Sequence, residues 1–358
     1  MAIEHVKGML CPAGPLRAYV EELLRAAGAD GPSAAAVAQA VVDASSRGVD
    51  THGVRLAPWY ITAAAEGRVN RQPAVTFTEK APAIGHVDAD LGFGHLASYR
   101  AVEEGCRMAA ATGIAAVTVA RSSHHGATGC YTLEAARRGF AAIGMTHADS
   151  VVVPFGGVKA FFGTNPISFA VPAPGEEPVL LDMATSNIPF NRVMLRRATG
   201  TKLPPAVAVD RAGEVTADAD RAVALLPLGG SDFGYKGAGL AAMIDVLCSA
   251  FTGMKHGATL APGGNNAQPI SIGHFFVILH PASFQLLELF DEAIAALLRD
   301  LRAQPARAGE RVMAPGDPEK AEAAERARHG IPVDLVTWEA LEEHARRYGC
   351  TVPDAVRN

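Results

Sequence analysis

The stretch that decides the architecture runs from Gly113 to Thr146. It begins with Gly113-Ile-Ala-Ala-Val-Thr-Val-Ala120, a short apolar run with β-branched residues, and passes through the polar loop Arg121-Ser-Ser-His-His-Gly126. A helical run from Thr128 to Arg138 follows, closed by Gly139, and Ala141-Ala-Ile-Gly-Met-Thr146 is again strand-like. Strand, helix and strand in this order make a βαβ unit, whose strands run parallel with a right-handed crossover. Parallel strands bring their C-terminal loops to one sheet edge, where α/β proteins place ligand chemistry. The loop after the first strand carries His124 and His125, and the loop after the second carries Asp149. One of the two histidines is therefore expected to face Asp149 across a single crevice.

Upstream, apolar residues at spacings of three and four read as two amphipathic helices between Pro15 and Ala44, separated at Gly28 to Pro32, with Ser33 as the N-cap. The second helix runs into Ser45-Ser-Arg-Gly-Val-Asp-Thr-His-Gly53, a polar cluster that serves either a site or a capping loop. Tyr60 to Glu66 reads as helix. Downstream, Pro227-Leu-Gly-Gly230 to Gly239 reads as a turn leading into a helix from Leu240 to Phe251, so that backbone N–H groups near that start and Lys236 are placed to hold a phosphate. Arg192 to Pro205 carries Arg192, Arg196, Arg197 and Lys202, a basic segment that either is a solvated helix face, the favoured reading, or contacts cofactor phosphates. Gly273 to His280 reads as a strand, Ser283 to Ala303 as a long helix, Gly330-Ile-Pro332 as a turn, and the segments on either side of that turn as helices.

Composition bounds the function. The 358 residues are 49% hydrophobic with a net charge of −5, enough to bury a large core and too acidic for a dedicated nucleic-acid binder. The most apolar long stretch, Gly237 to Gly253, contains Asp245 and falls short of the roughly 20 residues that a membrane span needs. The first residues lack the pattern of a signal peptide, and the scattered Cys11, Cys106, Cys130, Cys248 and Cys350 form no disulfide framework or zinc knuckle, so a reducing cytoplasm is expected. Cys130 lies inside the predicted helix and reads as a structural thiol.

Two patterns fail on context. Gly237-Ala-Gly-Leu-Ala-Ala242 has the spacing of a Rossmann fingerprint, but no strand precedes it and no acidic residue follows at the right distance. Gly229 to Lys236 lacks the Lys-Ser/Thr pair of a P-loop. Adjacent His124 and His125 do not make a metal set, so none is expected, and no Gly-x-Ser-x-Gly elbow points to a hydrolase.

Asp50-Thr-His-Gly-Val54, Ser123-His-His-Gly-Ala127, Val153-Pro-Phe-Gly-Gly157, Gly163-Thr-Asn-Pro-Ile167, Leu181-Asp-Met-Ala-Thr-Ser186, Pro227-Leu-Gly-Gly230 and Lys236-Gly237 together resemble the type-2 malate/L-lactate dehydrogenase family. The resemblance covers residues 13 to 350 with the motifs in the family's order. It implies an α/β protein in which a non-Rossmann cofactor domain with a mixed sheet (residues 119–269) is inserted into an α+β substrate domain built from both chain ends (1–118 and 270–358). It implies a homodimer that uses NAD or NADP to act on a small anionic substrate, a 2-hydroxy or 2-oxo acid.

The resemblance also assigns residues. His124 falls on the acid/base position, with His52 and Asp149 as further catalytic groups; Thr51, Arg55, Tyr60 and Ala148 fall on the substrate side. Thr164, Asn165, Pro166, Asp182, Met183, Ala184, Thr185, Ser186, Lys236, Gly237, Gly316, Asp317 and Pro318 fall on the cofactor side. Histidine suits the role because its ordinary pKa lies near neutrality. The chain departs from the pattern at Asn191-Arg192, where relatives carry Gly-Lys, at Leu56, where an arginine is frequent, and at Ile270, where ureidoglycolate-type enzymes carry an arginine and this chain offers Asn265, Asn266 and Gln268 nearby. Two further readings stay open: a reductase of cyclic imino acids such as Δ1-piperideine-2-carboxylate, and a member without activity that serves as a binding protein.

Overall fold

The computed structural model describes residues 8–260 and 271–357. Its first elements are strand β1 (Gly8–Cys11) and helices α1 (Ala13–Ala26), α2 (Gly31–Ser46) and α3 (Ala57–Ala65). Strands β2 (Thr76–Ala81) and β3 (Ile84–Asp88), helix α4 (Gly94–Thr112), strand β4 (Ile114–Ser122), helix α5 (Gly129–Arg137) and strand β5 (Ala141–Thr146) follow. Next come β6 (Ile167–Val171), β7 (Val179–Met183), α6 (Phe190–Ala198), the two-residue strands β8 (Ala208–Val209), β9 (Val215–Thr216) and β10 (Ala224–Leu225), and α7 (Gly230–Asp245). The last are β11 (Ile272–Leu279), α8 (Leu287–Arg302), α9 (Asp317–His329), β12 (Ile331–Asp334), α10 (Leu335–Tyr348) and β13 (Val356–Arg357).

A seven-stranded mixed sheet in the order β2-β3-β4-β11-β5-β6-β7 carries the architecture. The βαβ reading holds in direction but not in adjacency. β11 lies antiparallel between β4 and β5, pairing His274 with Val119 on one side and with Thr146 on the other. β4 and β5 therefore run the same way with one strand between them, and their C-terminal ends meet at one edge. β6 is antiparallel to β5, and β7 to β6, so the start of β6 and the end of β7 reach that same edge. The expected boundary between residues 118 and 119 falls inside β4, so the sheet does not divide there.

The two ends of the chain fold into one core. β1 pairs with β12 and β13, and Leu16, Tyr19, Leu23 and Leu24 of α1 pack with Ile331, Val333, Trp338 and Leu341. Burying each such side chain contributes about 1.5–3 kcal/mol, and the Tyr19 hydroxyl is satisfied by the Leu341 carbonyl at 3.0 Å.

Several expectations change. α2 starts at Gly31, and its N-cap is Asp30, whose Oδ1 accepts the Ser33 N–H at 2.8 Å. Ser33 sits inside the first turn with its hydroxyl buried and without a partner among the described residues. An aspartate one residue before a Gly-Pro start supplies the acceptor where the free N–H groups point, which the serine inside the turn does not. α7 begins at Gly230, about ten residues earlier than Leu240, so Lys236 and Gly237 lie within the helix and not in a turn before it. Gly237 is needed there for space, since a Cβ would meet the Leu228 backbone nitrogen at 2.4 Å. The turn expected at Gly330 to Pro332 is mostly strand β12, drawn extended by pairing with β1. Asn265, Asn266, Gln268 and Ile270 lie outside the described residues.

Replacing the Asp30 cap by alanine should lower unfolding free energy by about 1 kcal/mol, whereas Ser33→Ala should change it by less than about 0.5 kcal/mol because no hydrogen bond is lost. Urea unfolding of both variants checks the assignment, and equal losses would contradict it.

Candidate active site

The shared sheet edge gathers the loops that the motifs marked. Strand β11 ties it together: His274, fully buried, places Nε2 2.8 Å from the Ser122 hydroxyl at the end of β4 and Nδ1 2.7 Å from the Thr146 hydroxyl at the end of β5. The topology left His124 and His125 open, and the structure separates them. His125 stacks on His274 with ring centroids 4.2 Å apart and has both nitrogens occupied, by the Ser98 hydroxyl at 2.9 Å and the Thr128 hydroxyl at 3.1 Å. Its ring is structural. His124 is partly exposed, and among the described residues only its Nδ1 has hydrogen-bond partners: the Tyr60 hydroxyl at 2.6 Å and the Gly126 N–H at 3.3 Å.

The N-terminal region grips that imidazole. The His52 ring lies 6.0 Å from the His124 ring at 22°, and the Thr51 hydroxyl is 3.0 Å from His52 Nδ1. Tyr60, buried in α3, has its hydroxyl on His124, and Trp59 meets the same ring edge-on at 6.0 Å. Arg55 is exposed at the head of α3, and Asp149 is half-buried three residues beyond β5.

Burial sets the charge state. Desolvation, with His52 beside it, pushes His124 down to about 3, and the same cause lowers His52 and takes His274 to about 3. Tyr60 is held well above its ordinary value by burial and stays a phenol. His124 is therefore a neutral imidazole at pH 7. A backbone N–H can only donate, so the Gly126 contact marks Nδ1 as the acceptor and leaves the ring proton on Nε2.

The cofactor-side residues fall into two groups. Asp182 on β7 opens onto a cleft lined also by Arg47, Val49, Ala127, Gly129, Cys130 and Glu319, and its Oδ2 accepts the Gly129 N–H at the start of α5 at 2.8 Å. Gly316, with φ +91°, packs against Leu180 of the same strand and brings the start of α9 to this cleft. Carboxylates that can accept from ribose hydroxyls, next to an arginine and a helix N-terminus that favour phosphate, fit a dinucleotide. The second group ties loops together. Asn165 donates from Nδ2 to the Ala241 carbonyl at 3.0 Å and accepts the Ala148 N–H at 3.2 Å; Thr185 donates to the Thr164 carbonyl at 3.0 Å; and Ser186 donates to the Ile188 carbonyl at 2.8 Å. Their side chains are hydrogen-bonded within the scaffold, on segments that include Pro166, Met183 and Ala184. Asp317 is committed too, with Arg302 at 2.6 Å and the Ala314 N–H at 2.8 Å, so Pro318 and Asp317 shape the start of α9. Lys236 lies in α7, its Nζ 5.5 Å from the Phe233 ring centre and 5.9 Å from that of Tyr235.

Sequence reasoning missed Trp59, His274 and the roles that divide His124 from His125. Two histidines at the end of one strand gave the signal for a site; only the pairing of a strand from residue 272 onward shows which ring is used up.

Comparison with known proteins gives the family and the fold. A family model described as malate/L-lactate dehydrogenase matches residues 12–342. The chain is 32% identical over 348 residues to the malate dehydrogenase of Pyrococcus horikoshii, covering 94% of this chain and 95% of the relative; the solved structure of that enzyme superposes with a TM-score of 0.88 at 30% identity, covering 98% of this chain and 99% of that one. It is also 32% identical to the NAD(+) ureidoglycolate dehydrogenase of Escherichia coli K12, over 89% of this chain and 90% of the relative. The Δ1-piperideine-2-carboxylate reductase structure from Pseudomonas syringae pv. tomato matches with a TM-score of 0.85 at 27% identity, covering 94% of this chain and 99% of that one. The fold and site thus define a nicotinamide-dependent oxidoreductase, an NAD(P)-dependent dehydrogenase. The chain belongs to the malate/L-lactate dehydrogenase family.

Buried neutral histidines make stability depend on pH with a definite sign. Between a folded value of about 3 and the ordinary 6.5, the unfolded chain binds more protons at His124 and His274, so their contribution is complete above about pH 6.5 and is lost as pH falls toward about 3. The thermal midpoint, followed by circular dichroism, should hold steady above about pH 7 and fall from about pH 6 downward. A midpoint unchanged to about pH 4.5 would contradict the neutral assignment.

Proposed function

We propose that the protein transfers a hydride between a nicotinamide and the C2 carbon of a small 2-hydroxy or 2-oxo acid of the malate, lactate or ureidoglycolate type. The observation that carries this reading is His124, with Nδ1 fixed by Tyr60 and Gly126 and with Nε2 unengaged among the described residues, at the edge where the dinucleotide-side loops collect. The nicotinamide, when bound, would supply or take the hydride. The chain's own residues handle the proton. Nε2–H of His124 donates a hydrogen bond to the substrate oxygen and polarises the carbonyl; a proton taken up at Nδ1 when the anionic substrate binds, with the Tyr60 hydroxyl turning to accept it, makes the ring an imidazolium that passes its Nε2 proton to that oxygen as the hydride arrives and returns to a neutral imidazole.

Two effects oppose each other at that ring. Burial disfavours the imidazolium, while an anionic substrate beside it favours positive charge. The bound acid therefore raises the His124 pKa at the moment when proton exchange is needed. The Tyr60 hydroxyl keeps the ring aligned through Nδ1, and His52, Thr51 and Asp149 shape and polarise the substrate side. Arg55, exposed beside them, has the planar fork that suits a carboxylate.

Reduction of a cyclic imine is the second reading, supported by the likeness to Δ1-piperideine-2-carboxylate reductase; the same Nε2–H would then serve an imine nitrogen. Both readings fit a soluble homodimer of the cytoplasm. An apolar surface on and around α8, where Phe284 and Leu286 are each 67% exposed and Leu297 is 62% exposed, supports pairing of two copies.

NADH and NADPH oxidation, followed at 340 nm against a panel of 2-oxo acids and cyclic imines, tests the assignment. Turnover is expected with a 2-oxo acid, and turnover confined to imines would select the second reading. His124→Ala should lower kcat by about 10²–10⁴-fold; unchanged turnover on the best substrate would remove His124 from the proton step. Tyr60→Phe should lower kcat by a smaller factor, since the Gly126 N–H still holds Nδ1.

A further inference from the structure

Helix α9 is fixed by charge at both ends. At its start, Arg302 reaches Asp317 through Nη2 at 2.6 Å and Nε at 3.0 Å, and forks onto Glu176 at 2.8 and 2.9 Å, while Lys320 joins Glu176 at 2.6 Å. In its last turn Arg326 is buried, with 4% of its surface exposed. Its guanidinium donates from Nη1 to Asp50 Oδ1 at 2.6 Å and to the Ser45 carbonyl at 2.6 Å, from Nη2 to Asp50 Oδ2 at 2.9 Å, and from Nε to Glu322 at 2.5 Å. Asp50 opens the short turn Asp50–His52, and His52 closes it. Ser45 holds the other side of that turn, its hydroxyl accepting the Val54 N–H at 2.9 Å.

An ion pair built on a buried arginine is a poor source of net stability, because desolvation of the guanidinium offsets most of the attraction. What a planar two-pronged arginine adds is geometry: it fixes the distance and the plane of the carboxylate it grips. Here that carboxylate stands two residues before His52, whose ring is set nearly parallel to the His124 ring. The arginine also caps the end of α2, so the turn is referenced to α2 and α9 together.

We propose that Arg326 is a positioning residue of the site: through Asp50 and Ser45 it fixes the turn that holds His52 against His124. This rests on the reading above that His124 and His52 belong to the site. A lysine at 326 keeps the charge but cannot grip both carboxylate oxygens and the Ser45 carbonyl at once, so His52 loses its reference while the fold keeps a cation in place.

The test uses the full chain with 15N-labelled histidine imidazoles, the His52 signals being assigned with His52→Asn. Arg326→Lys is expected to melt as a folded protein and to move the His52 imidazole signals while leaving those of the distant His280 in place. Asp50→Asn, which keeps the shape and removes the charge, gives a second route to the same displacement if Arg326→Lys fails to fold. In turnover assays the folded variants should lose about tenfold or more in kcat, as small misplacements of reacting groups do, with the KM for the dinucleotide changed by less than about threefold. His52 signals that stay in place in a folded variant, or a variant that only melts earlier with kcat unchanged, would overturn the proposal. If the wild-type chain turned over no acid or imine, the functional reading would fail and the imidazole signals would still decide whether Arg326 positions His52.

Discussion

His274 bridges the ends of two strands, β4 and β5, that pair with β11 and not with each other. With one nitrogen on Ser122 and the other on Thr146, and with the His125 ring stacked on its face, it closes the sheet edge on which the site stands. The strand that carries it runs antiparallel between two strands of the same direction, so the edge consists of strand ends from β3, β4, β5 and β7 and strand starts from β2, β6 and β11. A purely parallel sheet would have given this edge only C-terminal loops. The mixed sheet places both kinds of loop there, which is how Asn165, just before β6, comes to hold Ala148, just after β5.

The chemistry of the site follows from dryness. His52, His95, His124, His125 and His274 are all pushed toward the neutral form, chiefly by burial. A group of imidazoles in one region would repel one another if charged. Neutrality lets them stack and hydrogen-bond as ordinary polar side chains. It also leaves His124 responsive to a single new charge, because the energy of its proton is set by whatever enters beside Nε2.

Local pattern revealed what local pattern governs. The strand, helix and strand from Gly113 to Thr146, the helices of the N-terminal region and the failed nucleotide fingerprint were legible because periodicity and glycine placement encode them. The choice between His124 and His125 was not, because it depends on Ser98 and on His274, far away in sequence. Asp30 was passed over for Ser33 since both are good cap residues, and only the helix start distinguishes them. Strand β1 and its partner β12 are each four residues long, and their extended shape comes from pairing rather than propensity. Several side chains expected to meet a cofactor, Asn165, Thr185 and Asp317 among them, are hydrogen-bonded to other parts of the chain. A motif marks where a loop is needed and does not say which of its atoms faces the ligand.

The common core of the two chain ends has a consequence for how the molecule is made. Tyr19 finds its hydrogen-bond acceptor 322 residues later, and β1 has no sheet until β12 exists. At about 5–20 residues per second on a ribosome, the N-terminal helices wait on the order of half a minute for their partners. During that interval Leu16, Leu23 and Leu24 lack the apolar surface that finally covers them, while the central sheet lacks β11. The turn bearing His52 receives Arg326 in the same late phase. The approach of the His52 ring to that of His124 is thus completed among the last events of biogenesis, once the C-terminal part of the chain has joined the N-terminal one.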